Sequence, residues 1–304
     1  MIFCLANTAY ADKELALMST NTLPSGLSQE KYQQSLDFAR LASQTYDWDD
    51  YLVVNVALNV FTGISDIKAQ DFTTENYHRI ENGGSYIDWI GSEGLDYVLF
   101  EEDDGDLVLA FRGTEPLSAV DWAEDIEQAF GQSEQYDQAV DLAKELQASV
   151  NQYNQDNGLQ GEAAIELSFT GHSLGGGLAT AAALATGEEA IVFDAAGLSA
   201  RTIENLQLNT SNVSAITNFN VKGDFLSDHN GQMDSSTLGS ELAGVVVEQR
   251  QYGETYWLEG VDDRADFGGW LIPDDTFIAE QAEALLNHAW HVFTYQLEDM
   301  AFIA

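Results

Sequence analysis

The segment GHSLG at residues 171–175 decides the fold, because it fits the pattern G-x-S-x-G between a predicted strand and a predicted helix. Residues 163–170 are mostly apolar and predict a strand, and residues 174–186 are almost wholly Ala, Leu and Gly, which predicts a buried helix. A serine in such a turn sits in a strained backbone at the helix N-terminus, where N–H groups favour developing negative charge. The pattern therefore predicts that Ser173 is a nucleophile rather than a structural serine in a glycine-rich turn.

Strand and helix patterns alternate along the rest of the chain. Helical patterns occur at residues 29–46, 136–150 and 275–302, and strand patterns at 97–100, 107–111, 190–193 and 213–221. Asp104-Gly105 favours a hairpin between the first two strands, which makes the acidic residues 101–106 a turn rather than a calcium loop. The alternation predicts an α/β fold, with a mostly parallel sheet and helices on both faces.

Length and composition predict one large domain. The 304 residues are 45% hydrophobic, contain only three prolines and include no linker-like run, so we assign residues 26–304 to one domain. Residues 1–6 are apolar and residues 9–11 resemble a small-residue cleavage site, although a positive n-region is missing. Residues 1–25 are either the remnant of a signal peptide, which we prefer, or a plain N-terminal segment. No apolar run has the length of a transmembrane segment.

The net charge of −40 comes from 51 acidic residues against 11 Lys and Arg. It disfavours nucleic acid as a partner, since phosphates are bound through basic patches. Acids spread over an otherwise ordinary composition predict either a salt-tolerant, bacterial protein or an acidic secreted protein without salt adaptation. Cys4 is the only cysteine, which excludes an internal disulfide and a thiolate zinc cluster.

A nucleophilic serine needs an imidazole that removes its proton and a carboxylate that fixes the imidazole. Asp224 follows the strand pattern at 213–221 and a Lys-Gly turn. We therefore expect its carboxylate at the C-terminal end of a parallel strand, where such sheets bind ligands. Asp228 is the alternative acid. Asp194 also ends a strand but follows the predicted helix too soon, and we expect it to support the loop instead.

Five histidines are candidates for the base. In this class of fold the order along the chain is nucleophile, acid, base, so His78, which precedes the serine, is expected at the surface or at a helix cap. His172 points away from the serine hydroxyl and is expected to be a buried, hydrogen-bonded support. His229 lies in a polar loop, and His288 and His291 lie in the predicted C-terminal helix.

Three blocks resemble one family, the fungal-type (class 3) lipases and their bacterial lipase and phospholipase A1-like relatives, which are α/β-hydrolases. The blocks are LAFRGT at 109–114 with DWAED at 121–125, TGHSLGGGLA at 170–179, and NFNVKGDFLS at 218–227. The resemblance spans about residues 30–300. After the strand at 191–193 the chain lacks the Pro-Arg of the fungal secreted members, which indicates a bacterial branch.

The resemblance implies further site residues. Thr114 and Leu174 would form the oxyanion hole through their backbone N–H groups, unless Thr114 is a plain strand-ending threonine. His288 would be the base, because Phe293 and Leu297 follow it at the family's spacing. His291 is the alternative. Residues 115–130 would form a lid helix with Trp122 on its apolar face, or a loop packed on the body.

The resemblance also implies an activity, namely secreted serine hydrolysis of lipid esters at an oil–water or membrane interface. We expect triacylglycerols as substrates, with phospholipase A1 activity on glycerophospholipids as the alternative. From another class, the fold could be a catalytically inactive binding module, which would have no need of Ser173, Asp224, His288 and Thr114 together. This chemistry requires no cofactor and no metal.

Sodium chloride should raise the melting temperature of this protein, with most of the rise below molar salt. The reason is that like charges repel, and the Debye length falls from about 10 Å at 0.1 M to about 3 Å at 1 M. Thermal unfolding at increasing NaCl measures the effect. A melting temperature that falls steadily as NaCl rises would rule out salt adaptation.

Overall fold

The described part of the chain is built around a seven-stranded mixed sheet. The computed structural model describes residues 23, 25–46, 74, 76–83, 94–113, 133–224, 226–227 and 249–258. The strands of the sheet are β1 Tyr77–Gly83, β2 Tyr97–Glu102, β3 Leu107–Phe111, β4 Leu167–His172, β5 Glu189–Phe193, β7 Ile216–Val221 and β9 Glu254–Leu258. Two short strands, β6 Leu198–Ser199 and β8 Gln249–Arg250, form a separate antiparallel ladder.

Most of the sheet is parallel, as predicted. Its order is β1-β2-β3-β4-β5-β7-β9. The pairs β1–β2 and β2–β3 are antiparallel, whereas β3, β4, β5, β7 and β9 are parallel neighbours. Phe111 pairs with Gly171, and His172 pairs with Phe193. The C-terminal ends of β3, β4 and β5 therefore meet at one edge of the sheet.

Helices cover both faces of the sheet, which confirms the predicted layers. They are α1 Gln29–Ser43, α2 Ser133–Asn157, α3 Leu174–Thr186 and α4 Ala200–Asn205. One apolar core joins α1 to Ile191 and Phe193 of β5, and the other joins α2 and α3 to Ala190 and Val192. Since neighbouring strand residues point to opposite faces, these cores lie on opposite sides of the sheet. This architecture, with a serine between β4 and α3, is an α/β-hydrolase fold.

Two predicted strands begin later than expected. The strand predicted from residue 163 begins at Leu167. The reason is that the Asn154 side chain of α2 bonds both the backbone N–H and the carbonyl of Ile165, at 2.9 Å each. These two backbone groups are therefore not available to pair with a neighbouring strand. The strand predicted from residue 213 begins at Ile216, because Thr210–Ala215 forms a 3-10 helix capped by Asn209.

The hairpin at Asp104-Gly105 is confirmed. The Gly105 N–H bonds the Glu102 carbonyl at 2.9 Å, and Gly105 has φ +101°, a conformation that favours glycine. The predicted helix at 275–302, the lid segment 115–130 and most of residues 1–25 lie outside the described residues. Among the described helices, none combines the length and apolarity needed to cross a bilayer.

Candidate active site

Ser173 is the single residue between β4 and α3. Its backbone has φ 57° and ψ −124°, which is rare for a residue other than glycine and costs about 1–3 kcal/mol. Neighbouring segments hold it there. The Ser173 N–H bonds the Phe193 carbonyl at 3.1 Å, and the Ser173 carbonyl accepts from Ala196 at 2.9 Å and Gly177 at 3.1 Å. The strain at Ser173 is therefore offset by bonds to β5 and to the chain that follows it.

Close packing of α3 against the ends of β3 and β4 produces this turn. A side chain on Gly175 would collide with the carbonyl oxygen of Phe111, and its Cβ would lie 2.9 Å from the carbonyl carbon of Arg112. A Cβ on Gly177 would lie 2.5 Å from the hydroxyl of Tyr136 in α2. Because only hydrogen fits at Gly175, the first turn of α3 can lie directly against the end of β3.

The N-terminus of α3 is suited to negative charge. Its first turn carries no acidic residue, and the first N–H groups of a helix have no partner within the helix. Leu174 is the first residue of α3 and is buried. Burial raises the pKa of Tyr136 on the adjacent helix, whose hydroxyl lies against Gly177. A developing oxyanion near Ser173 would be stabilised by the helix N-terminus.

Asp224 lies just after β7, in the turn that the sequence predicted. Its N–H bonds the Val221 carbonyl at 3.2 Å, and its Oδ2 accepts from the N–H groups of Leu226, at 3.1 Å, and Ser227, at 2.5 Å. The side chain is fully buried. These bonds fix the orientation of the carboxylate. A carboxylate that aligns an imidazole needs such a fixed orientation.

Asp194 connects the serine side of the site to the Asp224 turn. It follows β5 directly with φ 42°, and its N–H bonds the Phe219 carbonyl at 2.9 Å. Its Oδ1 accepts from the Val221 N–H at 2.7 Å and from the Ser227 hydroxyl at 3.1 Å. Asp194 therefore supports the loop, as expected from its position after the helix.

His172 and His78 occupy the environments expected for them. His172 is buried, and its Nδ1 lies 2.9 Å from the hydroxyl of Tyr46. His78 lies on β1 at the surface, where its Nε2 is 2.8 Å from Asp103 Oδ1. Sequence reasoning did not find Tyr46, because nothing in its neighbourhood marks a contact with a residue 126 positions away.

The structure brings Ser173, Leu174 and Asp224 to the same edge of the sheet, at the ends of β4 and β7. The remaining predicted site residues lie outside the described residues, namely Thr114, Trp122, Asp228, His229, His288 and His291. Their roles stay predictions.

The acidic hairpin brings three carboxylates together at the opposite edge of the sheet. Side-chain oxygens of Glu102, Asp104 and Asp106 lie within 4.8 Å of one another. Asp106 Oδ1 accepts from the Glu166 N–H at 2.7 Å, and Asp104 Oδ1 from the Asp106 N–H at 3.3 Å. Burial raises the pKa of Glu102 and of Asp106. These bonds fit a turn that fastens the hairpin to β4, distant from Ser173.

Comparison with known proteins gives consistent matches. A family model described as phospholipase-like, with a Tle-like phospholipase domain, matches residues 37–261. The extracellular phospholipase A1 of Serratia liquefaciens is 33% identical over 166 residues, which are 53% of this chain and 46% of that protein. The match thus spans about half of the length of that relative.

Two solved structures are similar at low identity. A mutant form of MDLA from Penicillium cyclopium has 16% identity and a TM-score of 0.46, with 76% of this chain and 81% of that chain covered. A fungal lipase has 15% identity and a TM-score of 0.47, with coverages of 87% and 99%.

Gly175→Ala should lower the free energy of unfolding by about 1–3 kcal/mol, because the new methyl group collides with the backbone at Phe111 and Arg112. This cost outweighs the gain of about 1 kcal/mol that alanine brings to a helix. Urea denaturation measures the change. Gly94→Ala is the matched control, since a Cβ at Gly94 meets nothing within 4 Å. Equal stability of the two variants would contradict the packing described here.

Proposed function

The chain belongs to the Tle-like phospholipase family, and we propose that it hydrolyses carboxylic ester bonds of glycerophospholipids as a phospholipase A1. The observation that carries the proposal is Ser173, held at φ 57° between a parallel strand and a helix N-terminus. A serine there presents its hydroxyl where an ester carbonyl can approach and where the resulting negative charge is stabilised. A binding module would not need this strained residue.

The proposed reaction proceeds through an acyl-enzyme. Ser173 Oγ attacks the ester carbonyl carbon while His288 takes the hydroxyl proton, and His288 then gives that proton to the oxygen of the leaving alcohol. Asp224 orients His288. Water next loses a proton to His288 and attacks the acyl carbon, which releases the fatty acid and restores the Ser173 hydroxyl. Every proton in the cycle is carried by His288, so no cofactor is needed.

The oxyanion of the tetrahedral intermediate is proposed to bind the backbone N–H groups of Thr114 and Leu174, with the Thr114 hydroxyl as a third donor. Removing one such donor costs about 3 kcal/mol of transition-state stabilisation. Support for Leu174 comes from its place as the first residue of α3, where its N–H has no helical partner. Support for Thr114 comes from the preceding residue, Gly113, which lies directly against the elbow, the turn at residues 172–174 that carries Ser173.

The preference for phospholipids rests on the family and on the relative from Serratia liquefaciens, whose name describes phospholipase A1 activity. The same serine chemistry would cleave triacylglycerols, so emulsified triglyceride is the second substrate to test. We also propose secretion by a salt-tolerant bacterium, in line with the extracellular relative and the charge of −40. Residues 115–130, with Trp122 on the apolar face, are the proposed lid over the acyl site at a lipid–water interface.

Ser173→Ala should abolish release of fatty acid from phosphatidylcholine vesicles without changing the melting temperature by more than a few degrees, because the lost oxygen carries the covalent step. Mass spectrometry of the fatty acids from a lipid with different sn-1 and sn-2 chains measures activity and position together. Release of the sn-1 chain is the expected wild-type result. Ser149→Ala, on the exposed part of α2, is the control and should match wild type.

Three outcomes would contradict parts of this proposal. Wild-type cleavage of emulsified triglyceride alone would replace the phospholipid with triacylglycerol as the substrate. Activity of Ser173→Ala above a few per cent of wild type would remove Ser173 as the nucleophile. A wild-type protein that cleaves neither lipid nor p-nitrophenyl butyrate would leave the inactive binding module as the function.

His288→Ala should lose as much activity as Ser173→Ala, since members of a triad act as a unit, whereas His291→Ala should keep most of it. Initial rates on p-nitrophenyl butyrate compare the two variants. The opposite ranking would move the base to His291, and full activity in both would direct the search to His229.

A further inference from the structure

Tyr46 is not part of the proposed triad of Ser173, Asp224 and His288, but it contacts the elbow. Tyr46 follows α1, and its N–H bonds the Ser43 carbonyl at 3.3 Å. Its side chain is buried, and its hydroxyl lies 2.9 Å from Nδ1 of His172, the residue directly before Ser173. The two rings are 6.1 Å apart between centroids and tilted by 57°. The hydroxyl thus links the segment after α1 to the end of β4.

The same hydroxyl also lies against the chain that leaves β3. A Cβ added to Gly113 would lie 2.5 Å from the Tyr46 hydroxyl oxygen, 2.7 Å from the His172 carbonyl oxygen and 3.4 Å from Ser173 Cβ. Gly113 therefore passes between Tyr46 and the elbow with no space for a side chain. The next residue is Thr114, the proposed oxyanion donor.

The ring of Tyr46 is held from a second side. The guanidinium carbon of Arg112 lies 5.8 Å from the ring centroid, a cation–π distance. The backbone N–H of Arg112 donates to the Asp96 carbonyl at 3.0 Å. Arg112 precedes Gly113, so the chain leaving β3 contacts Tyr46 through both residues. The tyrosine therefore contacts both the segment that carries the nucleophile and the segment that leads to Thr114.

We infer that Tyr46 is a positioning residue, whose hydroxyl aligns Gly113, the residue before the proposed oxyanion donor, with the elbow that carries Ser173. The inference rests on the proposed function. An oxyanion donor acts only when it lies within hydrogen-bond distance of the developing charge, and a displacement of about 1 Å costs about 100-fold in rate. Because the Tyr46 hydroxyl bonds His172 and also lies against Gly113, it aligns the segment that carries the nucleophile with the segment that leads to Thr114.

Tyr46→Phe tests the inference, because it removes the hydroxyl and keeps the ring. We expect kcat on p-nitrophenyl butyrate to fall about tenfold, while KM stays within about twofold. The second-order rate at which a fluorophosphonate labels Ser173 should fall by a similar factor, since its phosphonyl oxygen occupies the same hole. Tyr256→Phe is the matched control. Tyr256 belongs to the same apolar core but lies on the edge strand β9, and its variant should match wild type.

His172 variants separate positioning from folding. His172→Asn keeps an acceptor near the place of Nδ1 and should retain most of kcat, whereas His172→Leu should fall as far as Tyr46→Phe. The kcat of the double variant Tyr46→Phe, His172→Leu should fall no further than that of either single variant, because both substitutions remove the same hydrogen bond. These comparisons hold even if Tyr46→Phe lowers the melting temperature. A loss of stability alone would not explain why His172→Asn retains kcat while His172→Leu loses it.

The outcomes separate this inference from the proposed function. If wild type hydrolyses ester and Tyr46→Phe keeps its kcat and labelling rate, or changes KM alone, the positioning role is wrong and the hydrolase stands. If wild type hydrolyses no ester yet Ser173 is labelled, the proposed function fails and the labelling rates still decide the role of Tyr46. If the fluorophosphonate does not label Ser173 in wild type, both proposals fall.

Discussion

The close approach of α3 to the end of β3 is the constraint on which the site depends. At Gly175 only a hydrogen atom fits against the Phe111 carbonyl. The chain must therefore reverse within one residue after β4, and Ser173 takes up a strained conformation with φ 57° and ψ −124°. A strained residue persists only where its surroundings determine it fully. Here those surroundings are the carbonyl of Phe193 and the N–H of Ala196.

The serine and the carboxylate belong to one hydrogen-bonded frame, although 51 positions separate them in sequence. The Ser173 carbonyl accepts from the N–H of Ala196, which lies two residues after Asp194 in the same loop. The Asp194 side chain accepts from the Val221 N–H, at the start of the Asp224 turn, and from the Ser227 hydroxyl. The Ser227 N–H in turn bonds the Asp224 carboxylate. A shift of the loop after β5 would therefore move both groups together, which preserves their separation. Fixed separation is what a triad needs, because its geometry must suit the transition state in advance.

Local patterns predicted much of this fold, and long-range contacts account for the rest. The bounds of α3 were predicted at 174–186, because its Ala, Leu and Gly run ends at the left-handed Gly187. The start of β4 was not, because it depends on a bond between Asn154 and Ile165 across a turn. The contact of Tyr46 with His172 spans 126 positions and leaves no periodic signal. The periodicity of apolar residues indicates which face of a helix or strand is buried. It does not indicate which polar group, distant in sequence, contacts that face.

The central claim is that Ser173 forms a covalent acyl-enzyme, and trapping that intermediate tests it most directly. Wild-type protein mixed with p-nitrophenyl butyrate, quenched with acid within the first turnovers and digested, can be analysed by peptide mass spectrometry. The account predicts one butyryl group on the peptide that contains Ser173, formed together with a burst of one p-nitrophenol per protein molecule. Rapid p-nitrophenol release with an unmodified Ser173 peptide, or with the butyryl group on another residue, would contradict it.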